Sequence, residues 1–273
     1  MACEVKIIED SINPYNGIRL TTFQVKYWRA IHSEHIRHWI FSYSATSSRA
    51  VPFNKILKAT WENLAGPIHW GKNQPGMAAR EELSGWKLGF MKGAWGLSGK
   101  VMCSLAWVIN KVANPHKQIL NRMLEPWSYI SVVVTGTDWD NFYDLRCHPD
   151  AQPEIYELAM AMRKAQEESI PVSRKQHLPY ISEDERNSLS TEDLFKVSSA
   201  RCARVSYLTH DGKVPDLQKD IDLYNRLVGS RPIHASPTEH CAEAKKTTKF
   251  IKNLRGWEQH RVTVEKNLEA NND

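Results

Sequence analysis

Apolar and polar positions alternate with a period of two over residues 18–29, where Phe23, Val25 and Tyr27 are interleaved with Thr22, Gln24 and Lys26. That spacing predicts a half-buried strand. Residues 4–9 read as a companion strand, and the β-branched run 129–135 as another. Elsewhere the period is helical. Ile155, Leu158, Ala159 and Met162 predict a long amphipathic helix after Pro149-Asp150. Ile119, Leu120, Met123 and Leu124 predict a shorter one that Pro126 stops, with Arg122 off its apolar stripe. Asn114-Pro115 reads as the start of that helix, an N-cap followed by Pro at the first helical position. Residues 78–113 are rich in Ala, Leu, Met and Trp and predict helix, with Gly85, Gly89, Gly93 and Gly96 allowing close packing or breaks. Further helices are expected over 32–39, 53–64, 139–145, 191–202 and 217–228, the last closed by Gly229. Residues 67–77 form a loop by their Gly and Pro content, 168–190 read as a surface excursion, and 241–266 as a last strand and helix. The expected fold is α+β, a mixed sheet flanked by helices in one domain over 1–273.

Composition narrows the function. The chain of 273 residues is long enough for a substantial core, and its net charge of +5 suits a small anionic ligand better than a nucleic-acid polymer. No apolar run approaches membrane-spanning length, and the opening MACEVKIIED is too charged for a signal peptide. The five scattered cysteines show no CxxC spacing, which points to a reducing, cytoplasmic setting without a structural zinc.

The candidate chemistry centres on RHWIFSYSATSSRAVP, residues 37–52. Arg37 and His38 precede a hydroxyl-dense turn over Ser42, Ser44, Thr46, Ser47 and Ser48, which closes on Arg49 and Pro52. Hydroxyls, backbone N–H groups and a guanidinium are the donors that hold a phosphate, here opening onto a helix N-terminus near Phe53. A polar loop tied by its own serines is the alternative reading. In DNFYDLRCHPDAQPEIYELA, residues 140–159, Arg146 stands before a Pro-punctuated break and could simply pair with Asp150 or Glu154. HASPTEH, residues 234–240, spaces two His six apart beside Cys241 but lacks a further ligand pair for a metal.

Together these stretches resemble the flavin-dependent thymidylate synthases, the ThyX family, whose signature has the form RHRxxSxNxxSxRY. Arg37, His38, Ser42, Ser47 and Arg49 fall at matching positions, while Trp39, Ser44 and Ala50 depart and Ala45 replaces a frequent Glu. LR followed by AQxEI, ARVSY at 203–207 and HASPTEH are also similar to family motifs. ARVSY and HASPTEH follow the arginine signature here, whereas the commoner order places them before it, so the resemblance implies a circularly permuted member.

The resemblance implies a ThyX-like fold and C5-methylation of dUMP to dTMP, with FAD as bound cofactor and NADPH and methylenetetrahydrofolate as co-substrates. It implies a nucleotide held by Arg37, Ser47, Ser48, Arg49, Arg122 and Arg146, the last also stabilising negative charge on the base. His38, Trp39, Asn141, Ser206, His234, Ser236 and Glu239 are the implied flavin contacts. The family's site is shared between subunits of a homotetramer. The departures at Trp39, Ser44 and Ala45 leave open a pyrimidine hydroxymethylase, a dCMP-acting enzyme, or a non-catalytic nucleotide-binding relative.

Overall fold

The computed structural model describes residues 3–77, 79–205 and 216–270. Its centre is a five-stranded mixed sheet. In the order of the sheet, β3 (Ser42–Ala45) lies beside β4 (Tyr129–Gly136), then come β2 (Arg19–Trp28), β1 (Cys3–Ile12) and β5 (Val172–Ser173). All pairs are antiparallel except β1 with β5.

The period-two pattern builds the two faces of this sheet. On one, Phe23, Val25 and Tyr27 join Ile130, Val132 and Val134 in the largest core. Two helices cover it: α5 (Asp140–Arg146) through Phe142 and Tyr143, and α6 (Pro153–Glu168) through Ile155, Leu158, Ala159 and Met162. Phe41 stacks on Trp139 with ring centroids 4.1 Å apart. A Cβ at Gly136 would stand 2.4 Å from Phe41 Cδ1, so this close approach requires glycine.

The opposite face carries Thr22, Thr135 and Ser42, and it is buried rather than wet. The C-terminal third covers it, with β6 (Gln176–His177), β7 (Ala242–Ala244) and β10 (Trp257–Gln259) in a second sheet and a 3-10 turn over Ser236–His240. The hairpin β8 (Phe250–Ile251) and β9 (Leu254–Arg255) and the helix α10 (His260–Ala270) complete a region where one strand and a helix were expected. Residues 168–190, expected as a surface excursion, combine exposed and buried stretches. β5 and β6 belong to sheets and His177 and Leu178 are fully buried, while Ile170, both residues of β5 and α7 (Glu183–Ser188), opened by a Ser182–Glu185 capping box, lie at the surface. Asp220 locks α8 (Thr191–Ala203) to α9 (Leu217–Gly229) by accepting from Arg201 Nε at 2.9 Å and Arg204 Nε at 2.7 Å.

Other helix boundaries differ for local reasons. The helix expected over 32–39 is only α1 (His32–His35), after which the chain turns and brings His38 inward. α2 (Phe53–Glu62) is as expected, but α3 (Gly85–Ala113) begins at a glycine with φ +55°, leaving the residues before it in a loop. Gly89, Gly93 and Gly96 pack against nothing; Gly99 is the close-packed one, where a Cβ would stand 2.7 Å from Leu64 and 2.9 Å from Trp127. Asn114 ends α3 in the left-handed conformation, because Pro115 disfavours αR before it and Asn tolerates αL. His116 caps α4 (Lys117–Met123) instead; Leu120 and, just past the helix end, Leu124 are buried while Ile119 is exposed. Gly229 is the last helical residue of α9, and Ser230 Oγ donates to the Leu227 carbonyl at 3.0 Å. Among the described residues no helix is long and apolar enough to cross a membrane.

Candidate functional site

Of the expected hydroxyl-rich turn, Ser42–Ala45 is strand β3, pairing with Val132–Thr135. The turn proper starts at Thr46, whose Oγ1 donates to Ser131 O at 3.0 Å and Val205 O at 2.8 Å. That second bond brings the ARVSY stretch to the turn, although Ser206 lies outside the described residues. Helix α4 grips the turn from the other side. Asn121 Nδ2 donates to Ser48 O at 2.7 Å and Val51 O at 3.0 Å, and Lys117 Nζ donates to Ala50 O at 2.9 Å. Most N–H groups of the turn are also engaged: Thr46 N–H donates to Ser131 O at 2.8 Å and Ala50 N–H to Ser47 O at 3.0 Å, which leaves the Ser47 hydroxyl and the Arg49 side chain as the turn's outward groups.

These two groups face a cleft of about 750 Å³ lined by Ser44, Ser47, Arg49, Lys117, His234 and Ser236 among others. Arg49 is exposed at its rim, and its N–H bonds Ser47 Oγ at 3.2 Å. The structure thus brings together two predicted nucleotide contacts and two predicted flavin contacts from distant parts of the chain. Ser48 faces the other way, into a pocket of about 510 Å³ with Lys26, Arg29 and Tyr129. The first turn of α2 borders that pocket through Lys55 and Ile56, so the helix N-terminus does not open on the Arg49 cleft as expected.

Arg146 lies elsewhere. Its Nε donates to His38 Nε2 at 3.0 Å and its Nη1 pairs with Glu34 rather than with Asp150 or Glu154. Asp150 instead meets Arg80 at 3.3 Å, and Glu154 accepts from the Ile68 N–H at 3.0 Å. As an acceptor, His38 is neutral with its proton on Nδ1. Burial, and then the Arg146 charge, push its pKa down to about 4. Its ring meets Phe142 edge-on with centroids 4.9 Å apart. Arg146 borders a second cleft of about 1440 Å³ with Trp28, His69 and Arg80, which shares no lining residue with the Arg49 cleft.

The remaining predicted residues are dispersed. Arg37 and Asn141 are exposed, Trp39 is 87% exposed, and Arg122 lies on the outer side of α4, away from all three clefts. Glu239 is half-buried and paired with Arg261. His240 is fully buried and hydrogen-bonded to Thr135 and Ser44, an arrangement unlike a metal ligand. Among the described residues no group of three or more His, Cys, Asp or Glu is placed to hold a metal. Sequence reasoning missed Lys117, Asn121 and Glu34. Lys117 and Asn121 belong to no motif, and Glu34 could have been sought only as a carboxylate one step from His35.

Comparison with known proteins gives structural neighbours only. No family model matches the chain, and no curated protein matches it in sequence. The UMP/dUMP methylase PolB from Streptomyces cacaoi, bound with 5-Br dUMP, is similar at 14% identity over 60% of this chain and 89% of its own, with a TM-score of 0.47. The same protein with 5-Br UMP is similar at 16% identity over 60% and 88%, again with a TM-score of 0.47. Thymidylate Synthase X (ThyX) from Helicobacter pylori with FAD and dUMP is similar at 18% identity over 54% of this chain and 67% of its own, with a TM-score of 0.37. The last bears the name of the family that the motifs resemble.

Proposed function

We propose that the chain is a divergent ThyX-like enzyme that adds a one-carbon unit at C5 of a pyrimidine nucleoside monophosphate, converting dUMP to dTMP. The observation that carries this reading is that Ser47, Arg49, His234 and Ser236, drawn from two separate motifs, line one cleft with Lys117. Two cations with hydroxyl donors are a donor set suited to phosphate groups. The same set fits the diphosphate of FAD, which His234 and Ser236 would help to hold. When bound, FAD supplies the redox chemistry, with NADPH and methylenetetrahydrofolate as co-substrates. The chain's own part is to bind and orient: Arg49, Ser47 and Lys117 fix an anionic group, and Arg146 stabilises negative charge on a base presented to it.

Arg49 and Arg146 open on clefts with no common lining residue. In this reading one nucleotide therefore touches the Arg49 cleft of one copy and the Arg146 cleft of another, as a homotetramer with shared sites requires. The exposed apolar face of α3, with Phe90, Leu97, Val101, Val108 and Val112, suits the pairing of copies. One domain throughout residues 1–273, and a cytoplasmic location, belong to the same reading.

The test is anaerobic incubation with FAD, NADPH, methylenetetrahydrofolate and either dUMP or dCMP, read by product mass. A methyl increment on dUMP is expected. A hydroxymethyl increment, or modification of dCMP alone, moves the assignment to a different reaction of the same site, and absence of both product and bound flavin overturns it. Mixing inactive Arg49→Ala and Arg146→Ala proteins is expected to restore part of the activity, because mixed tetramers contain some intact shared sites.

A further inference from the structure

A hydrogen-bonded chain runs unbroken across the polar face of the central sheet, starting at the Arg49 cleft. Ser44 lines that cleft, and its Oγ is 2.9 Å from His240 Nε2. His240 Nδ1 is 2.8 Å from Thr135 Oγ1, which is 2.7 Å from Thr22 Oγ1. Thr22 is in turn 2.7 Å from His177 Nε2, and His177 Nδ1 is 2.9 Å from Ser11 Oγ. Ser11 Oγ donates to Glu9 Oε1 at 3.3 Å. Between its two ends every member is fully buried.

The carboxylate end, with both imidazoles neutral, fixes the direction of every link. A carboxylate can only accept, so Ser11 donates to Glu9. The Ser11 oxygen therefore accepts from His177 Nδ1–H, which leaves His177 Nε2 to accept from Thr22. Thr22 accepts from Thr135, Thr135 from His240 Nδ1–H, and His240 Nε2 from Ser44. Each imidazole is neutral, with one donor and one acceptor, and both tautomers follow from the network. Burial keeps both rings neutral: it pushes the pKa of His240 down to about 3 and that of His177 well below the usual histidine range. The Ser44 hydroxyl points inward, so its lone pairs are presented to the cleft.

We propose that this chain conducts a proton released in the Arg49 cleft to Glu9. Ser44 Oγ takes up the incoming proton and passes its own to His240 Nε2, and His240 gives its Nδ1 proton to Thr135. The Thr135 proton moves to Thr22, the Thr22 proton to His177 Nε2, the His177 Nδ1 proton to Ser11, and the Ser11 proton to the Glu9 carboxylate. One proton enters, one O–H bond forms on Glu9, both histidines exchange tautomers, and no electrons change hands. Burial raises the pKa of Glu9, while Arg186 at 2.7 Å and Arg174 at 3.5 Å oppose that rise. The Glu9 side chain is 10% exposed, which gives the proton an exit to solvent; a second transit requires in addition that the hydroxyls rotate and both histidines return to their starting tautomers. In the reaction proposed above, C5 must lose its ring proton when it gains carbon, and Ser44 is the group on this chain that would receive it. That assignment of the source rests on the nucleotide reading; the experiment below uses no nucleotide.

A thiol-reactive photoacid is attached at Ser47→Cys, after the partly exposed Cys3 and Cys147 are replaced by Ser, and a light pulse releases a proton in the cleft. Infrared absorption of the protonated Glu9 carboxyl, assigned by its loss in Glu9→Gln, is followed in solutions carrying enough mobile buffer to trap protons that escape. The Glu9 signal is expected to persist under buffer, to fall at least tenfold in Thr135→Val, and to return in Thr135→Ser. The same photoacid at Val112→Cys on α3 is expected to give no Glu9 signal under buffer. A Thr135→Val protein that folds, as judged by its urea midpoint, and keeps the full signal would overturn the proposal. So would a signal that buffer abolishes in the parent protein. A network that only fixes strand register would leave the Glu9 signal indifferent to where the photoacid sits.

Discussion

The two faces of the central sheet are made by the same strands, residue by residue in alternation, yet different physics holds them. On one, Phe23, Val25, Ile130, Val132 and Val134 pack against α5 and α6 through contacts that are individually weak and non-directional. On the other, Thr22, Thr135 and Ser44 are tied to His177 and His240 by bonds of 2.7–2.9 Å, each of which depends on its neighbour's proton. An apolar face degrades in proportion to the volume removed. A buried polar face works as a unit, because one missing hydroxyl strands a donor and an acceptor.

Truncation on the apolar face should give the largest effect. Phe23→Ala removes a fully buried ring from the core and is expected to cost about 3–5 kcal/mol of stability in urea unfolding. Thr22→Val, one residue away on the other face, keeps the volume and is expected to cost about 1–3 kcal/mol by leaving His177 Nε2 without its donor. If the two substitutions cost the same, the contrast between the faces fails.

Acid should weaken the fold without any mutation, and a histidine variant then isolates the polar face's share. His240 has its pKa depressed to about 3 in the folded chain, so it binds a proton more readily when unfolded, where it titrates near 6.5. Its contribution is complete above about pH 6.5 and is lost as pH falls through that value toward the folded pKa. Between pH 7 and pH 5 this single group predicts a loss of about 2 kcal/mol. His35, held near 3 by burial, adds to it from beside the apolar core. Urea midpoints at the two pH values measure the total, and His240→Asn should flatten the pH dependence while lowering stability at pH 7. Similar in size but independent of pH is Gly136→Ala, which pushes Phe41 off Trp139 and is expected to cost about 1–3 kcal/mol at either pH.

Why one face was legible in the sequence and the other was not follows from the same contrast. Phe23, Val25 and Tyr27 announced a buried face by hydrophobicity alone, and Ile155 to Met162 announced the helix that covers it. Thr22 occupies a position that the alternation assigns to solvent, because a polar side chain reads the same whether water or a distant histidine satisfies it, and Thr135 merely ends a β-branched run. The elements that supply those histidines come from residues 168–190, whose prolines and charges resemble a loop, and from HASPTEH, where His240 drew attention as a metal ligand. In the candidate site, Ser47, Arg49, His234 and Ser236 were legible through motif spacing. Lys117 and Asn121 were not, since they act on backbone carbonyls that no side-chain pattern reveals. Asn114 failed as an N-cap for a related reason: Asn before Pro serves equally well as a left-handed terminator, and only the length of α3 decides between the two.

The smallest expected effect tests how far motif resemblance can be carried onto one chain. Arg122 matches a phosphate-binding position by resemblance, but it is exposed and borders none of the three clefts, whereas its neighbour Asn121 points inward to the serine turn. Arg122→Ala should therefore leave folding stability within about 0.5 kcal/mol of the parent, as for surface residues without partners. Asn121→Ala should lower it by more, since Ser48 O and Val51 O lose their shared donor. In a single chain, Arg122→Ala should also leave the affinity for a nucleoside monophosphate unchanged, while Arg49→Ala weakens it by about 1.5–3 kcal/mol, the worth of a charge-assisted bond. Measured as a function of protein concentration, the comparison becomes sharper. If Arg122→Ala weakens binding only where copies associate, the arginine reaches the Arg49 cleft of another copy. The resemblance and the geometry of the single chain are then both right, each about a different level of assembly.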